Sequence, residues 1–150
     1  MTIVSHYFTD RPGAPSQRRE VDARLRGRSW TFLTDRGVFA RQGVDPGTQL
    51  LIEAMRIDGG DDVLDLGCGY GPIGVVAATL ALRGRVVMVD INQRAVDLAR
   101  ANAARAGLDN VDVYQGDGTA PVRGRTFQVV AMNPPIRASI VYAGMGNPIS

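Results

Sequence analysis

Two stretches in which apolar and polar residues alternate lie near the start of the chain. Their apolar positions are Val21, Ala23, Leu25, Trp30 and Phe32. A period of two is typical of strands that bury one face. The turn-forming pair Arg26-Gly27 separates the two stretches, so the pattern predicts a β-hairpin. We expect this hairpin to pack on the rest of the domain as an appendage, because it is too small to form a core of its own.

A helix is predicted to follow the hairpin. The segment Asp45-Pro46-Gly47-Thr48 places an acceptor side chain directly before a proline, as the first turn of many helices does. The residues predicted to form the apolar stripe of this helix are Leu50, Leu51, Ala54 and Met55.

From residue 62 onward the pattern changes to strands that alternate with helices. Buried strands are predicted over 63–66, 85–90, 111–114 and 127–132, and helices over 74–82 and 92–106. The inner arc of the second of these helices consists of Ala95, Leu98, Ala99, Asn102 and Ala103. Such alternation predicts an α/β fold with a doubly wound, mostly parallel sheet and right-handed crossovers.

The composition indicates one globular domain over residues 1–150. Hydrophobic residues make up 45% of the chain and charged residues 21%, which excludes disordered and collagen-like classes. The apolar runs are too short to span a membrane, and residues 1–11 lack the pattern of an export signal. The single cysteine, Cys68, cannot form an internal disulfide. We therefore expect a cytoplasmic protein without a membrane partner.

The cations are all arginines, and they are concentrated early in the chain. Residues 1–41 contain eight arginines and four acidic residues, whereas the net charge of the whole chain is only +2. A surface of this kind can bind phosphates. The simpler interpretation, a solvated charged face, is favoured by the sequence.

The strongest chemical signal is a glycine-rich loop after the first strand of the α/β part. The strand ends at Asp65-Leu66, and Gly67, Gly69 and Gly71 follow before the helix. Glycines are needed where the backbone approaches a ligand closely or adopts conformations barred to other residues. The loop therefore predicts a ligand site beyond the end of the strand, at the start of the helix.

Two ligands compete for this loop. Residues 69–74 match GxGxxG, and Asp90 follows about 20 residues later, as in dinucleotide-binding enzymes, which would make the protein an NAD-type oxidoreductase. The glycines begin earlier, however, at Gly67, and the Asp65 carboxylate would repel a pyrophosphate. A carboxylate at this position suits a cationic amino-acid group instead.

A second signal is the segment Asn133-Pro134-Pro135, directly after the fourth strand. The prolines fix φ and remove two amide donors, which leaves carbonyl oxygens free to face a cleft. The Asn133 side-chain oxygen and the Pro134 carbonyl would form two acceptors for a planar NH2 group. The alternative is a proline-rich turn that binds nothing.

Together these segments resemble the class I S-adenosylmethionine-dependent methyltransferases. The matching motifs are DLGCGYGPIG at 65–74, VDINQRAVDLARANA at 89–103, GDG at 116–118 and NPPIRA at 133–138. Three earlier motifs are similar to those of single-domain ribosomal-RNA guanine-N2 methyltransferases of the small-subunit type: HYF-x-x-x-P at 6–12, F-x-T-D-x-G-V-F at 32–39 and D-x-G-T-x-L-L at 45–51. The resemblance covers roughly residues 5–138 and implies a Rossmann-like fold.

The resemblance implies methyl transfer from S-adenosylmethionine to an exocyclic amine. The implied target is guanine N2 of small-subunit ribosomal RNA, alone or in the assembled subunit, with the base flipped out of its stack. Glutamine and adenine amines are alternative targets, because related enzymes use NPP elements for them. Such a reaction needs alignment more than acid–base chemistry, so no general base is assigned, and His6 is expected in a surface or capping role.

The resemblance also implies nine cofactor-binding positions. Asp65 would lie near the amino group, Asp90 would accept hydrogen bonds from the ribose hydroxyls, and Asp117 would receive the adenine amine. The other positions would allow close backbone approach, pack on the adenine or give it room, and they are Gly67, Cys68, Gly69, Gly71, Ile91 and Gly118.

On the target side, Asn133, Pro134 and Pro135 are implied to hold the amine for catalysis. Phe39 would shape the pocket for the base, and core packing is an equally good interpretation of this residue. Ile136 and Arg137 are the remaining expected pocket residues. No metal ion is implied.

The C-terminal part departs from the resemblance. Only 17 residues follow Asn133, so one further element is the maximum, whereas the family continues with helices and a strand pair. We therefore expect a C-terminally incomplete chain, with a hairpin region over 1–45, a cofactor-binding core over 46–138 and a divergent tail over 139–150. The strand over 127–132 would then be an unpaired edge through which the chain aggregates or self-associates. The alternative function is a catalytically incompetent fragment that keeps the cofactor loops.

Overall fold

The computed structural model describes residues 15–39, 41–133 and 138–142. The chain begins with strands β1 (Arg18–Leu25) and β2 (Arg28–Asp35) and helix α1 (Pro46–Ala54). It continues with β3 (Val63–Leu66), α2 (Pro72–Leu80), β4 (Val86–Asp90), α3 (Gln93–Arg105) and β5 (Val111–Gln115). A 3-10 turn at Ala120–Val122 precedes β6 (Val129–Met132) and β7 (Ser139–Tyr142). Within these ranges, no helix has the length and apolar composition required to span a bilayer.

Five strands form the central sheet in the order β5-β4-β3-β6-β7. The first four are parallel, and β7 runs antiparallel to β6. All residues of β4 are buried, as is usual for a parallel strand with both faces covered. The carboxyl ends of the four parallel strands meet at one edge, where ligands of open α/β sheets bind. The predicted α/β, Rossmann-like, doubly wound and mostly parallel sheet is confirmed.

The two helices that flank the sheet start with recognisable signals. Pro72 occupies the first turn of α2, where its missing N–H is tolerated. Asn92 caps α3 by accepting a hydrogen bond from the Arg94 N–H at 2.9 Å. All five residues predicted for the inner arc of α3 are buried. Helix α2 begins and ends two residues earlier than predicted.

The predicted N-terminal hairpin is present. Val21 pairs with Phe32, and Ala23 pairs with Trp30. The turn residues Arg26 and Gly27 have φ values of 53° and 73°, the left-handed conformation that gives a two-residue turn the twist of a hairpin. The predicted inner face of the hairpin packs on the main hydrophobic core.

The predicted apolar stripe of α1 is wrong at two positions. Leu50 is 72% exposed and Ala54 also faces solvent. The buried face consists of Thr48, Leu51, Ile52 and Met55, a spacing typical of an amphipathic helix. Because residues 50–52 are all apolar, the sequence leaves the orientation of this short helix open, and packing against the core decides it.

The prediction that the strand over 127–132 is an unpaired edge of the sheet is also wrong. Strand β7 pairs antiparallel with β6, so that Ala131 faces Ile140. An antiparallel neighbour needs only a short connection, unlike a parallel crossover. Tyr142 holds the end of β7, because its hydroxyl accepts a hydrogen bond from the Arg56 N–H at 2.8 Å. The basis for self-association through β6 is therefore absent, and part of the expected tail is a sheet strand.

Two of the arginines near the start of the chain make contacts within the protein. The Arg19 guanidinium donates to the carbonyls of Phe39 and Arg41. The Arg28 guanidinium lies 4.2 Å from the centre of the Trp30 ring. These contacts explain part of the basic excess without a phosphate partner.

Candidate active site

The loop between β3 and α2 depends on its glycines. Gly67, Gly69 and Gly71 have φ values of 67°, 59° and 98°, a region that side-chain-bearing residues rarely adopt. The N–H groups of Gly67 and Cys68 both donate to the Val89 carbonyl, at 2.8 and 3.0 Å. The loop is thereby fastened to the end of β4, and the Cys68 side chain is buried within it.

Asp90 ends β4 and binds this loop. Its Oδ2 accepts a hydrogen bond from the Gly69 N–H and its Oδ1 accepts one from the Asn92 N–H, each at 2.9 Å. Burial raises the pKa of the Asp90 carboxyl, and the backbone donors oppose that shift. The backbone N–H of Ile91 is a third donor to this carboxylate, and because a carboxylate has about four lone-pair sites, Asp90 can still accept a hydrogen bond from a ligand at this edge.

Asp65, in β3, is completely buried. Its Oδ2 accepts a hydrogen bond from the Gly74 N–H at 3.0 Å, whereas Oδ1 has no partner among the described residues. Burial, reinforced by the negative charge of Asp90, raises the pKa of Asp65 to about 8. A buried carboxyl oxygen without a donor fits a cationic ligand group, such as the amino group of an amino-acid-like cofactor.

The remaining implied cofactor residues follow neighbouring strands of the sheet. Ile91 comes directly after β4 and is half-buried, whereas Asp117 and Gly118 come shortly after β5 and are exposed. The Gln115 side-chain N–H donates to the Ile91 carbonyl at 2.9 Å, which joins the two segments. Sequence reasoning missed Gln115, because a polar residue at the end of a strand forms no motif.

A cavity of about 260 Å³ opens beside the glycine loop. Its walls come from the segment before α1, the first turn of α1, the glycine loop and the residue after β6. The lining residues include Phe39, Asp45, Thr48, Cys68, Tyr70 and Asn133. The cavity therefore brings a residue expected on the target side, Asn133, together with residues expected on the cofactor side.

Asn133 is held by contacts at both its backbone and its side chain. Its N–H donates to the Leu66 carbonyl at 3.1 Å. Its side-chain Oδ1 accepts a hydrogen bond from the Thr48 hydroxyl at 3.4 Å. Thr48 was not predicted as a site residue, although it lies in the motif at 45–51. The expected site residues Pro134, Pro135, Ile136 and Arg137 lie outside the described residues, as does His6.

A series of aromatic rings connects the hairpin to the cavity. The ring centres of Phe39 and Tyr70 are 5.3 Å apart, those of Tyr70 and Phe32 are 6.0 Å apart, and Phe32 stacks on Trp30 at 5.7 Å. Phe39 therefore lines the cavity and also packs against another ring. Burial raises the pKa of Tyr70 to about 12, so its hydroxyl is protonated at neutral pH. The sequence did not indicate a role for Tyr70, because the glycines on either side of it predict backbone contacts with a ligand and say nothing of a side chain.

Comparisons with known proteins agree with this arrangement. A family model described as methyltransferase small domain matches residues 29–144. The uncharacterized protein YbxB of Bacillus subtilis (strain 168) is 41% identical over 140 residues, which cover 91% of this chain and 69% of that protein. Ribosomal RNA small subunit methyltransferase C of Enterobacter sp. (strain 638) is 37% identical over 105 residues, which cover 70% of this chain and 30% of that protein.

Among solved structures, the 16S rRNA N2 guanine methyltransferase RsmC of T. thermophilus, in complex with AdoMet and guanosine, matches with a TM-score of 0.72. It is 29% identical, and the match covers 81% of this chain and 34% of that one. The sheet order, the glycine loop and the acid that ends β4, taken with these matches, define a class I S-adenosylmethionine-dependent methyltransferase. Within this class, the chain belongs to the methyltransferase small domain family. Membership of this methyltransferase class argues against the NAD-type oxidoreductase that the GxGxxG match had left open.

Proposed function

We propose that this protein methylates an exocyclic amine of ribosomal RNA in the cytoplasm, with guanine N2 of the small-subunit RNA as its target. The observation that carries this proposal is the position of Asn133, which lines the same cavity as Gly69 of the glycine loop. The names of the related ribosomal-RNA methyltransferases support RNA as the substrate, and the guanosine in the RsmC complex supports guanine as the base.

Residues at the carboxyl edge of the sheet would hold S-adenosylmethionine, which supplies an electrophilic methyl group. Asp90 suits the ribose hydroxyls, because its carboxylate ends β4 at this edge and has acceptor capacity beyond its backbone donors. Asp65 suits the amino group, because its buried Oδ1 has no donor among the described residues. Ile91 suits the face of the adenine, and Asp117 suits its amine.

On the target side, Asn133 Oδ1 and the Pro134 carbonyl would accept the two hydrogens of the amine. Two acceptors in fixed positions would orient the nitrogen and stabilise the positive charge that develops on it. Correct alignment then supplies most of the catalytic effect, and no general base is required. Phe39 would border the base, with Ile136 and Arg137 completing the pocket. In this proposal, residues 1–150 form a single methyltransferase domain.

The test is a methylation assay with labelled S-adenosylmethionine and the full chain. Small-subunit RNA, assembled small subunits and bulk protein are offered separately, and the products are digested and identified by mass spectrometry. We expect N2-methylguanosine, and the comparison of naked RNA with subunits identifies the preferred form. Label in adenine or in glutamine would contradict the guanine assignment. Absence of label in every substrate, with normal cofactor binding, would favour the incompetent fragment.

A further inference from the structure

We propose that Thr48 is a positioning residue for Asn133, with its hydroxyl orienting the amide that receives the target amine. This inference rests on the proposed role of Asn133. The two residues are 85 positions apart, and the Thr48 hydroxyl donates to Asn133 Oδ1 at 3.4 Å. Thr48 is only 3% exposed, and both residues line the cavity. The contact therefore fixes the side chain of Asn133 at the place where substrate would meet cofactor.

The bonding around Thr48 leaves its hydroxyl available for this contact. A threonine in a helix commonly bonds to the carbonyl four residues earlier, which here belongs to Val44. Val44 lies outside α1, before the N-cap Asp45 whose ψ of 138° is extended, so the helical geometry for this bond is missing, and its carbonyl accepts a hydrogen bond from the Gln49 side chain at 2.8 Å. The Thr48 N–H is also engaged, because it donates to the Asp45 carboxylate that caps α1, at 3.2 Å. The hydroxyl of Thr48 therefore donates to Asn133 instead of to the backbone of its own helix.

The direction of this hydrogen bond matters for the chemistry. An asparagine amide carries an acceptor oxygen and a donor nitrogen that exchange places when the group rotates. A hydroxyl that donates to Oδ1 favours the orientation in which the oxygen lies at the cavity. Oδ1 has two lone pairs, so it keeps one for the incoming amine while it binds Thr48.

Hydrogen bonds from the hairpin hold the end of helix α1 and thereby restrict the position of Thr48. The Nη1 group of Arg26, in the hairpin turn, donates to the carbonyls of Ile52, Glu53 and Met55 at 3.1 to 3.2 Å. These bonds satisfy carbonyls that the end of a helix otherwise leaves unpaired. The hairpin therefore contributes to the geometry of Asn133 through α1.

Three variants test the proposal by methylation kinetics. Thr48→Val keeps the shape of the side chain and removes the hydroxyl, and we expect kcat to fall by about tenfold, while KM for S-adenosylmethionine changes by less than about twofold. Thr48→Ser restores the hydroxyl and should recover most of the lost rate. Thr34→Val is the matched control, because Thr34 is buried in β2 and its hydroxyl has no partner among the described residues. Its kcat should equal that of the unmodified protein.

A spectroscopic measurement gives a second readout that does not depend on turnover. The side-chain amide resonances of Asn133, identified by their loss in Asn133→Ala, should shift in Thr48→Val and stay in place in Thr48→Ser and Thr34→Val. If Thr48→Val does not fold, Thr48→Ala replaces it with the same expectations.

The two proposals fail in different ways. An unchanged kcat in Thr48→Val, or an equal loss in Thr48→Ser, would contradict the positioning role. Full methylation by Asn133→Ala would instead contradict the proposed function.

Discussion

Asn102 binds both backbone polar groups of Leu33. Its Oδ1 accepts a hydrogen bond from the Leu33 N–H at 2.8 Å, and its Nδ2 donates to the Leu33 carbonyl at 2.9 Å. The same Nδ2 donates to the Tyr70 carbonyl at 2.8 Å. One buried side chain of α3 thus joins the hairpin to the glycine loop, and it contributes to the packing of the hairpin on the domain that the sequence predicts.

We expect Asn102→Ala to lower the free energy of unfolding by about 2 kcal/mol, because partly buried backbone groups of Leu33 and Tyr70 lose their partner. Urea denaturation followed by circular dichroism measures this loss. Gln93→Ala, at the exposed start of the same helix, is the control and should change stability by less than about 0.5 kcal/mol. Similar values for the two variants would show that Asn102 does not join the hairpin to the core.

The raised pKa of Asp65, about 8, predicts a pH-dependent stability. The folded protein keeps a proton that the unfolded chain releases near pH 4, at the ordinary pKa of aspartate, so the free energy of unfolding falls as pH rises from about 4 to 8. Asp65→Asn removes this contribution. We expect the stability of the variant, relative to the unmodified protein, to rise by up to about 1.4 kcal/mol per pH unit in this range. Urea unfolding at several pH values measures the difference, and a constant difference would refute the assignment.

Cofactor affinity should be more sensitive to Asp90 than to Asp65. Asp90→Ala removes the carboxylate proposed to accept hydrogen bonds from the ribose, and we expect at least about a tenfold rise in Kd for S-adenosylmethionine. Asp65→Asn keeps the side-chain shape and one acceptor oxygen, so its effect should be smaller. Titration calorimetry measures both, and NADH titrated in parallel should not bind. Equal losses in the two variants would remove the ribose assignment.

Asn133→Ala should abolish methyl transfer and leave the Kd for S-adenosylmethionine within about threefold of the original value. The physical reason is that in the proposed mechanism the Asn133 acceptor serves the amine in the reaction itself, whereas the residues proposed to hold the cofactor lie at the ends of β3, β4 and β5. Single-turnover kinetics with prebound cofactor isolates the chemical step. Normal turnover by this variant would disprove the amine-binding role.

The pairing of β7 with β6 can be tested on the two faces of one strand. Ile140 is half-buried and packs on the core, whereas Val141 is 51% exposed. Ile140→Asp should lower the free energy of unfolding by about 2 kcal/mol or more and promote aggregation as β6 loses its cover. Val141→Asp should do neither. Urea denaturation and sedimentation measure the two effects, and aggregation of both variants alike would contradict the observed register.

The glycine loop and the acid that ends β4 could be predicted from the sequence because their signals are local. A buried strand, an acid and closely spaced glycines lie within ten residues, and Asp90 ends the next strand. The hairpin could be predicted for the same reason, since its alternation and its turn are contiguous. Such patterns reflect the period of the backbone, which each segment carries by itself.

The remaining features depend on contacts between distant segments. The orientation of α1 is set by packing, because Leu50 and Ile52 are equally apolar and only one is buried. The pairing of β6 with β7 is a contact between strands that no pattern within β7 indicates. The contact between Thr48 and Asn133 joins two polar side chains that no periodicity relates. These features arise only when the whole fold is assembled.

The cavity takes its walls from parts of the chain under different constraints. The glycine loop and Asn133 belong to the packed sheet, whereas Phe39 and Asp45 lie in the connection between the hairpin and α1. Connecting segments accept replacement more readily than buried strands. Replacement of residues in the connection between β2 and α1 would therefore reshape one wall of the cavity and leave the glycine loop and the sheet unchanged.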